Sequence, residues 1–237
     1  MLCELTYKKP ITITVCARAS NLSIIQVNEV LLNIRKYYPY INFKLTTFLS
    51  PGDKDLKTPL TSLKIPNNFF TKNLDEYILE EKYQIAIHSA KDVPFPLSPQ
   101  LEVVALTKSI SEIDCLLFPK KNFFLCTDSQ IIIGTSSLRR RETIQKLFPK
   151  WKTKNIRGCI EERINLIHKK VVNGIVVAKA AIIRLDLLNK YTIIDLPPPY
   201  AQFQGSLAVI AKYNSFYIKK IFSKINTNNE NFFSRTK

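Results

Sequence analysis

Short apolar runs alternate with amphipathic stretches along almost the whole chain. Residues 12–17 (TITVCA) read as a strand. Ser20 or Asn21 can cap a helix that runs to about Tyr38, where Pro39 stops it. Residues 41–48 (INFKLTTF) form a second strand, and a polar loop follows over 50–60. A helix over about 70–82 leads into the strand QIAIH, and 101–107 and 114–118 are further strands. The second half repeats the alternation: strand 130–134, helix 137–147, strand 154–156, helix 160–171, strand 174–178 and helix 180–188. Residues 207–212 (LAVIAK) are strand-like, and a last helix follows. Strands alternating with helices predict an α/β fold with parallel sheets. Ligands in such sheets bind beyond the carboxyl ends of the strands.

Length adds that the 237 residues make one large domain or two modest ones. Apolar residues are 46% and charged residues 23%, as in soluble globular chains. With 5 glycines, tight turns must use other residues. The formal net charge of +16 concentrates anions: nucleic acid, an acidic membrane face, or a polycarboxylate or phosphate substrate. A solvated lysine-rich surface is the plainer account of the same excess. The 5 cysteines (3, 16, 115, 126, 159) show no CxxC spacing, and His88 and His168 stand far apart, so no metal site is expected. Reduced thiols fit a cytoplasmic location. No signal peptide is expected, and no apolar run has the length of a membrane span, so no membrane partner is expected. The tail from Ile225 is polar.

Chemistry gathers at strand ends. In IAIHSAKDVPFPL (85–97) an apolar strand opens into His88, Ser89, Lys91 and Asp92. In IIIGTSSLRRRETIQKLF (131–148) a strand turns through Gly134 and Thr135 into a helix that Ser136 or Ser137 can cap. Arg139, Arg140 and Arg141 crowd its first turn, where cations cost about 0.3–1 kcal/mol each. Backbone N–H groups, serine hydroxyls and guanidinium forks together make an anion site. In NIRGCIEERINL (155–166), Arg157 and Gly158 again follow a strand and Arg163 lies one turn on. Arg184 is isolated in an apolar helix start, either snorkelling to the surface or facing a cleft. Arg18 and Ser20 follow the first strand. The pattern is a cleft for a polyanion with a single acid in it, Asp92.

These motifs resemble those of the hydroxymethylbilane synthase, or porphobilinogen deaminase, family. HSAKDVP resembles the family's HSxKDVP, and GTSSLRRR its GTSSLRR. CARASNLSIIQV is similar to its N-terminal segment; GD (52–53) and TPL (58–60) match its next loop. NIRG with Arg163 resembles its LRGNxxTR loop, and QGSLAV its GQG segment. The resemblance implies two lobes like those of type-II periplasmic binding proteins, each a mixed, mostly parallel sheet flanked by helices. Lobe one would hold 1–106 and 201–237, and lobe two 107–200. It implies condensation of four porphobilinogen units into a linear tetrapyrrole with loss of ammonia, a dipyrromethane cofactor, and a monomer needing no nucleic acid. Asp92 would be catalytic. Arg18, Ser20, Lys91, Thr135, Ser136 and Ser137 would bind the carboxylates of substrate and cofactor. Arg139, Arg140, Arg157, Gly158, Arg163, Arg184 and Gln204 would join them.

The sequence departs from the family in three places. The glycine-rich GGKG is replaced by IPNNFFTKNL, with Lys64 nearby. The RGNxxT loop reads Arg157-Gly158-Cys159-Ile160-Glu161-Glu162. The chain ends about where the family's third domain, which carries the cofactor-binding cysteine, would begin. The cofactor would then be anchored by another cysteine, be bound without a covalent bond, or be lost together with the activity; Cys159 is the first candidate anchor, its thiolate favoured by nearby arginines, and Cys16 the second. The alternatives are a non-catalytic binding protein for a small polycarboxylate and, ranked last, a nucleic-acid-binding protein.

Overall fold

The computed structural model describes residues 11–54, 68–120 and 131–227. Cys3, Cys126, Lys64, the TPL segment at 58–60 and the tail beyond 227 lie outside the described residues. The first sheet has the order β2-β1-β3-β10-β4, built from β1 (Ile11–Arg18), β2 (Ile41–Phe48), β3 (Ile85–Ser89), β4 (Leu101–Leu106) and β10 (Leu207–Lys212). The second has the order β7-β6-β8-β5-β9, from β5 (Asp114–Pro119), β6 (Ile132–Gly134), β7 (Lys152–Lys154), β8 (Gly174–Ala178) and β9 (Tyr191–Asp195). In each sheet one strand opposes its neighbours, β10 in the first and β5 in the second. The rest of the pairing is parallel. The alternation predicts parallel sheets, and the mixed, mostly parallel arrangement is the one that the resemblance implies.

Each sheet has its own core on both faces. α1 (Asn21–Arg35) buries Val27, Val30, Leu31 and Ile34, the spacing of one helical face, against the first sheet. α7 (Phe216–Phe222) adds Ile218, Ile221 and Phe222 to the same cluster. α3 (Lys72–Leu79) covers the other face with Leu74 and Ile78. Around the second sheet, α5 (Ile160–His168) packs Ile164 and Ile167 on one side, and α4 (Leu138–Leu147) packs Ile144 with Trp151 on the other. Each fully buried side chain of this size contributes about 1.5–3 kcal/mol.

Several element ends differ from the periodicity, for identifiable reasons. The strand expected at 154–156 is Lys152–Lys154, whose K-T-K pattern is that of a mostly exposed edge strand with no apolar signal. The helix expected at 180–188 is the short α6 (Lys179–Arg184), and β9 follows as an unexpected edge strand. α6 stops because Asp186 adopts φ 53° and Leu187 N–H turns back to the Ile182 carbonyl. α3 and α5 also end earlier than expected, at left-handed residues Glu81 (φ 59°) and Lys170 (φ 56°). In a glycine-poor chain, side-chain-bearing residues take the positions glycine usually fills. A one-turn helix, α2 (Pro51–Lys54), interrupts the polar loop.

Candidate active site

β1 and β3 of one sheet and β6 and β8 of the other point their carboxyl ends into a cavity of about 520 Å³ between the lobes. Arg18, at the end of β1, binds Asp53 through Nε–Oδ2 at 3.1 Å and through a second, shorter Nη2–Oδ1 contact. Its guanidinium lies 4.8 Å from the centre of the Phe70 ring. Burial opposes the Arg18 charge, but Asp53 outweighs it and the pKa rises. Ser20 caps α1, its hydroxyl accepting from Ser23 N–H at 3.3 Å. β3 ends in a 3₁₀ turn, Ala90–Asp92, that carries Lys91 and Asp92 to the cleft. Lys91 Nζ donates to Gln204 Oε1 at 3.2 Å. Burial, then the neighbouring Arg140, pushes its pKa down to about 8.

The second sheet supplies the opposite wall. The Ser137 side chain caps α4 by accepting from Arg140 N–H. Ser136 Oγ accepts from Ile156 N–H at 3.0 Å, tying the two strand-end loops together. Thr135 is buried behind them, its hydroxyl accepting from Ser137 N–H at 3.3 Å. The crowded arginines are explained by a carboxylate from another element. Arg140 contacts Asp114 Oδ1 through Nη2 at 2.6 Å and Nε at 3.0 Å, while Arg139 Nη1 holds Asp114 Oδ2 at 2.6 Å. Asp114 is buried, yet these two arginines hold its carboxyl below the usual range. Arg139 also donates to the Pro199 carbonyl and, unlike Arg140, does not line the cavity. Arg141 bonds Asn155, also away from the cavity. Gln204 sits beneath the cavity and ties Lys91 to Arg140, Asp114 and the Glu112 carbonyl.

Three further arginines reach across. Arg157 donates to the Gly52 carbonyl of the first lobe at 3.3 Å and faces the Phe69 and Phe70 rings. Arg163 Nε donates to the Gly158 carbonyl at 2.9 Å. Burial and then Arg140 and Arg157 push its pKa down to about 10. Gly158 holds φ 97°, and a Cβ there would lie 2.4 Å from Glu162 Oε2. Arg184 is a cleft residue rather than a snorkelling one: its side chain is 3% exposed and bidentate to Glu29 of α1 at 2.7 and 3.0 Å.

The single-acid picture needs correction. Asp53 and Glu162 line the cavity with Asp92, and Asp114 and Glu29 stand just behind. Asp114 was legible only as a carboxylate opening an apolar strand, where a buried charge implies a partner, and Asp53 only as part of the GD pair in the polar loop. The thiol expectations change too. Cys16 is fully buried, its Sγ turned to the Ile85 carbonyl, and burial pushes its pKa up to about 12. Cys159 does line the cavity, but its pKa is raised, by burial and by the Glu162 and Glu161 carboxylates, so the expected thiolate is not favoured. Glu162 accepts from the Cys159 N–H at 2.7 Å, a helix-start contact that brings the carboxylate to this residue.

Comparison with known proteins decides the family. The model of the family described as porphobilinogen deaminase, dipyromethane cofactor binding domain, matches residues 13–220. The chain belongs to the porphobilinogen deaminase family. It is 38% identical over 218 residues to the probable porphobilinogen deaminase of Chlamydia pneumoniae, covering 92% of this chain and 91% of that one. Porphobilinogen deaminase of Listeria monocytogenes is 31% identical over 218 residues, which are 90% of this chain and 70% of that longer protein. Among solved structures, the periplasmic VFT2 domain of Bordetella pertussis BvgS matches with TM-score 0.52 at 9% identity, covering 95% and 90% of the two chains. A TRAP periplasmic solute binding protein from Desulfovibrio salexigens matches with TM-score 0.51 at 12% identity, covering 92% and 72%. At such identities the likeness is one of fold: the two-lobed, periplasmic-binding-protein-like architecture.

Proposed function

We propose that the cleft of this deaminase condenses four porphobilinogen units into hydroxymethylbilane, with Asp92 as the catalytic carboxylate. The chain is a transferase of tetrapyrrole biosynthesis, and its matched domain is the one that binds the dipyrromethane cofactor. The observation that carries the assignment is the charge balance of the cavity. Its wall holds Arg18, Lys91, Arg140, Arg157, Arg163 and Arg184 against Asp53, Asp92 and Glu162, six cations to three carboxylates. Asp53 is already bound to Arg18, Asp114 and Glu29 behind the wall to Arg140 and Arg184, and Glu162 to the Cys159 backbone. The remaining positive charge suits a ligand whose every pyrrole carries an acetate and a propionate.

The residues present therefore fit a dipyrromethane as well as the substrate. When bound, that group supplies the pyrrole on which the chain grows. Arg140, Arg157 and Arg163 pair with carboxylates from the second lobe, and Arg18 and Lys91 from the first. Asp92 accepts hydrogen bonds from the substrate pyrrole N–H. Its negative charge stabilises the cation that forms as ammonia leaves, in a site too crowded to be fully wet. Among the described thiols Cys16 and Cys115 are buried and Cys159 faces the cavity, so Cys159 is the residue to test as an anchor. A small carboxylated substrate accounts for the cleft's charge without nucleic acid, and the lobes divide near residues 106 and 201. Among the described residues no helix is long and apolar enough to cross a membrane. The protein works as a cytoplasmic monomer.

The test is ammonia release and tetrapyrrole absorbance on adding porphobilinogen to purified protein. Asp92→Asn should lower kcat by roughly 10²–10⁴-fold while the fold persists. Tight binding of porphobilinogen with no ammonia released would establish a binding protein instead. Intact mass of wild type and Cys159→Ser, before and after substrate, tests the anchor. Retention of the cofactor mass in Cys159→Ser eliminates that thiol.

A further inference from the structure

One buried polar pair near the cleft is not used by the binding scheme above. His88, the fourth residue of β3, has a side chain 2% exposed; Asp75 of α3 has one 11% exposed. Their facing atoms, His88 Nε2 and Asp75 Oδ1, are 3.7 Å apart, just beyond hydrogen-bond length, and among the described residues neither has a hydrogen-bond partner. The surroundings are apolar: Leu74 and Ile78 on α3, and Ala208 and Ile210 on β10. Leaving each such atom unpaired costs about 1–3 kcal/mol, a cost an apolar pair would avoid. The pair has a further relation to the site. His88 lines the catalytic cavity, while Asp75 lines a separate outer pocket of about 330 Å³ between α3 and the 94–101 loop. The imidazole thus stands between the cleft and a buried carboxylate.

The charges around the pair fix its protonation. Arg18 of β1 faces His88, and burial with that guanidinium pushes the imidazole pKa down to about 3. On α3, burial and Glu76 push Asp75 up to about 6, against the Thr71 hydroxyl. Cys16 of β1 is the remaining titratable neighbour and stays a thiol. The β10 residues opposite, Ala208 and Ile210, are uncharged. At neutral pH a neutral imidazole therefore faces an ionised carboxylate. Its proton belongs on Nε2, directed at Asp75. Immediately beyond His88, Ser89 Oγ accepts from Gln26 Nε2 at 2.9 Å, and the turn bearing Asp92 begins. The strand end is held on one side by Gln26, and the imidazole stands one residue before it.

We propose that Asp75 is a positioning residue for the deaminase reaction: it holds His88 in one orientation and in the Nε2–H tautomer, and through it fixes the turn that carries Asp92. The inference rests on the reading of Asp92 as the catalytic carboxylate. Asp75 touches no substrate, so its loss should act on kcat more than on KM.

Asp75→Leu removes the acceptor with a side chain of the same branching, and Asp75→Glu restores it on a longer arm. In Asp75→Leu, kcat should fall about tenfold or more with KM within about twofold. Asp75→Glu should recover most of the loss. Nitrogen NMR of ring-labelled histidine reads the tautomer in the wild-type protein, which has 2 histidines, His88 and His168. His88 should be the Nε2–H form and should not titrate between about pH 5 and 8. An Nδ1–H form in the wild type overturns the proposal even if Asp75→Leu does not fold. So does a folded Asp75→Leu with wild-type kcat. Asp92→Asn, measured beside them, separates the two ideas: full turnover there removes the catalytic reading itself, whatever Asp75 does.

Discussion

Arg140 and Arg163 face the same cavity but live in different surroundings. Arg140 is chelated by Asp114, which also takes Arg139. Arg163 has a carbonyl for its Nε and is surrounded by like charge from Arg140 and Arg157. Arg18 and Arg184 resemble Arg140, each matched by a carboxylate. The matched arginines are stiff parts of the fold that also offer a face to the ligand. Arg163, on α5, has no carboxylate partner among the described residues and holds its charge at the expense of stability until an anion arrives. A binding site for polyanions needs both kinds: paired cations give geometry, and uncompensated cations give attraction.

The comparison breaks most visibly at Asp114. Asp114→Asn leaves two guanidiniums without their carboxylate and should lower the unfolding free energy by about 3–5 kcal/mol, read by urea denaturation. A loss below about 1 kcal/mol would mean that Arg139 and Arg140 are not structural cations at all. Arg163→Gln should do the reverse. Porphobilinogen affinity should weaken about tenfold or more, while stability stays level or rises by about 1 kcal/mol, because a disfavoured buried charge is gone. Calorimetry of binding and a thermal melt on one sample check both halves.

A smaller effect sharpens the same contrast through pH. Lys91 is half-buried with no carboxylate among its hydrogen bonds, and its proton is held only up to about pH 8. KM for porphobilinogen should rise as pH passes through that value, because the cation is lost above it. Lys91→Arg should flatten the profile. For stability the sign is opposite. The unfolded lysine keeps its proton to 10.5, so the penalty for burying the charge is fully present below about 8 and is lost towards 10.5. A KM that stays flat across pH 7–9 would exclude Lys91 from carboxylate binding.

Much of this was visible in the residues alone. Apolar runs located β1, β3, β5, β6, β8 and β10, since a strand covered on both faces is apolar nearly throughout, and runs of mixed polarity still located the edge strands β2 and β4. The same reasoning missed β9 and misplaced β7, edge strands of the second sheet with no fully buried residue. Helix ends were missed where Glu81, Lys170 and Asp186 stand in for glycine. The strand-end motifs identified Arg18, Lys91, Asp92, Ser136, Ser137, Arg140 and Arg157 as neighbours of a cleft, and all of them line it.

What the sequence determined, then, is the alternation of elements, the excess of cations, and which strand ends carry them. Those are properties of local pattern and of side-chain chemistry, and they survive without knowing what touches what. Tertiary structure alone decided which cations are neutralised. Asp114 reaches Arg140 from 26 positions away, and Glu29 reaches Arg184 across 155. Long-range pairing of this kind leaves no periodic trace, because a carboxylate's partner is set by packing geometry, and burial then sets how strongly each charge is felt.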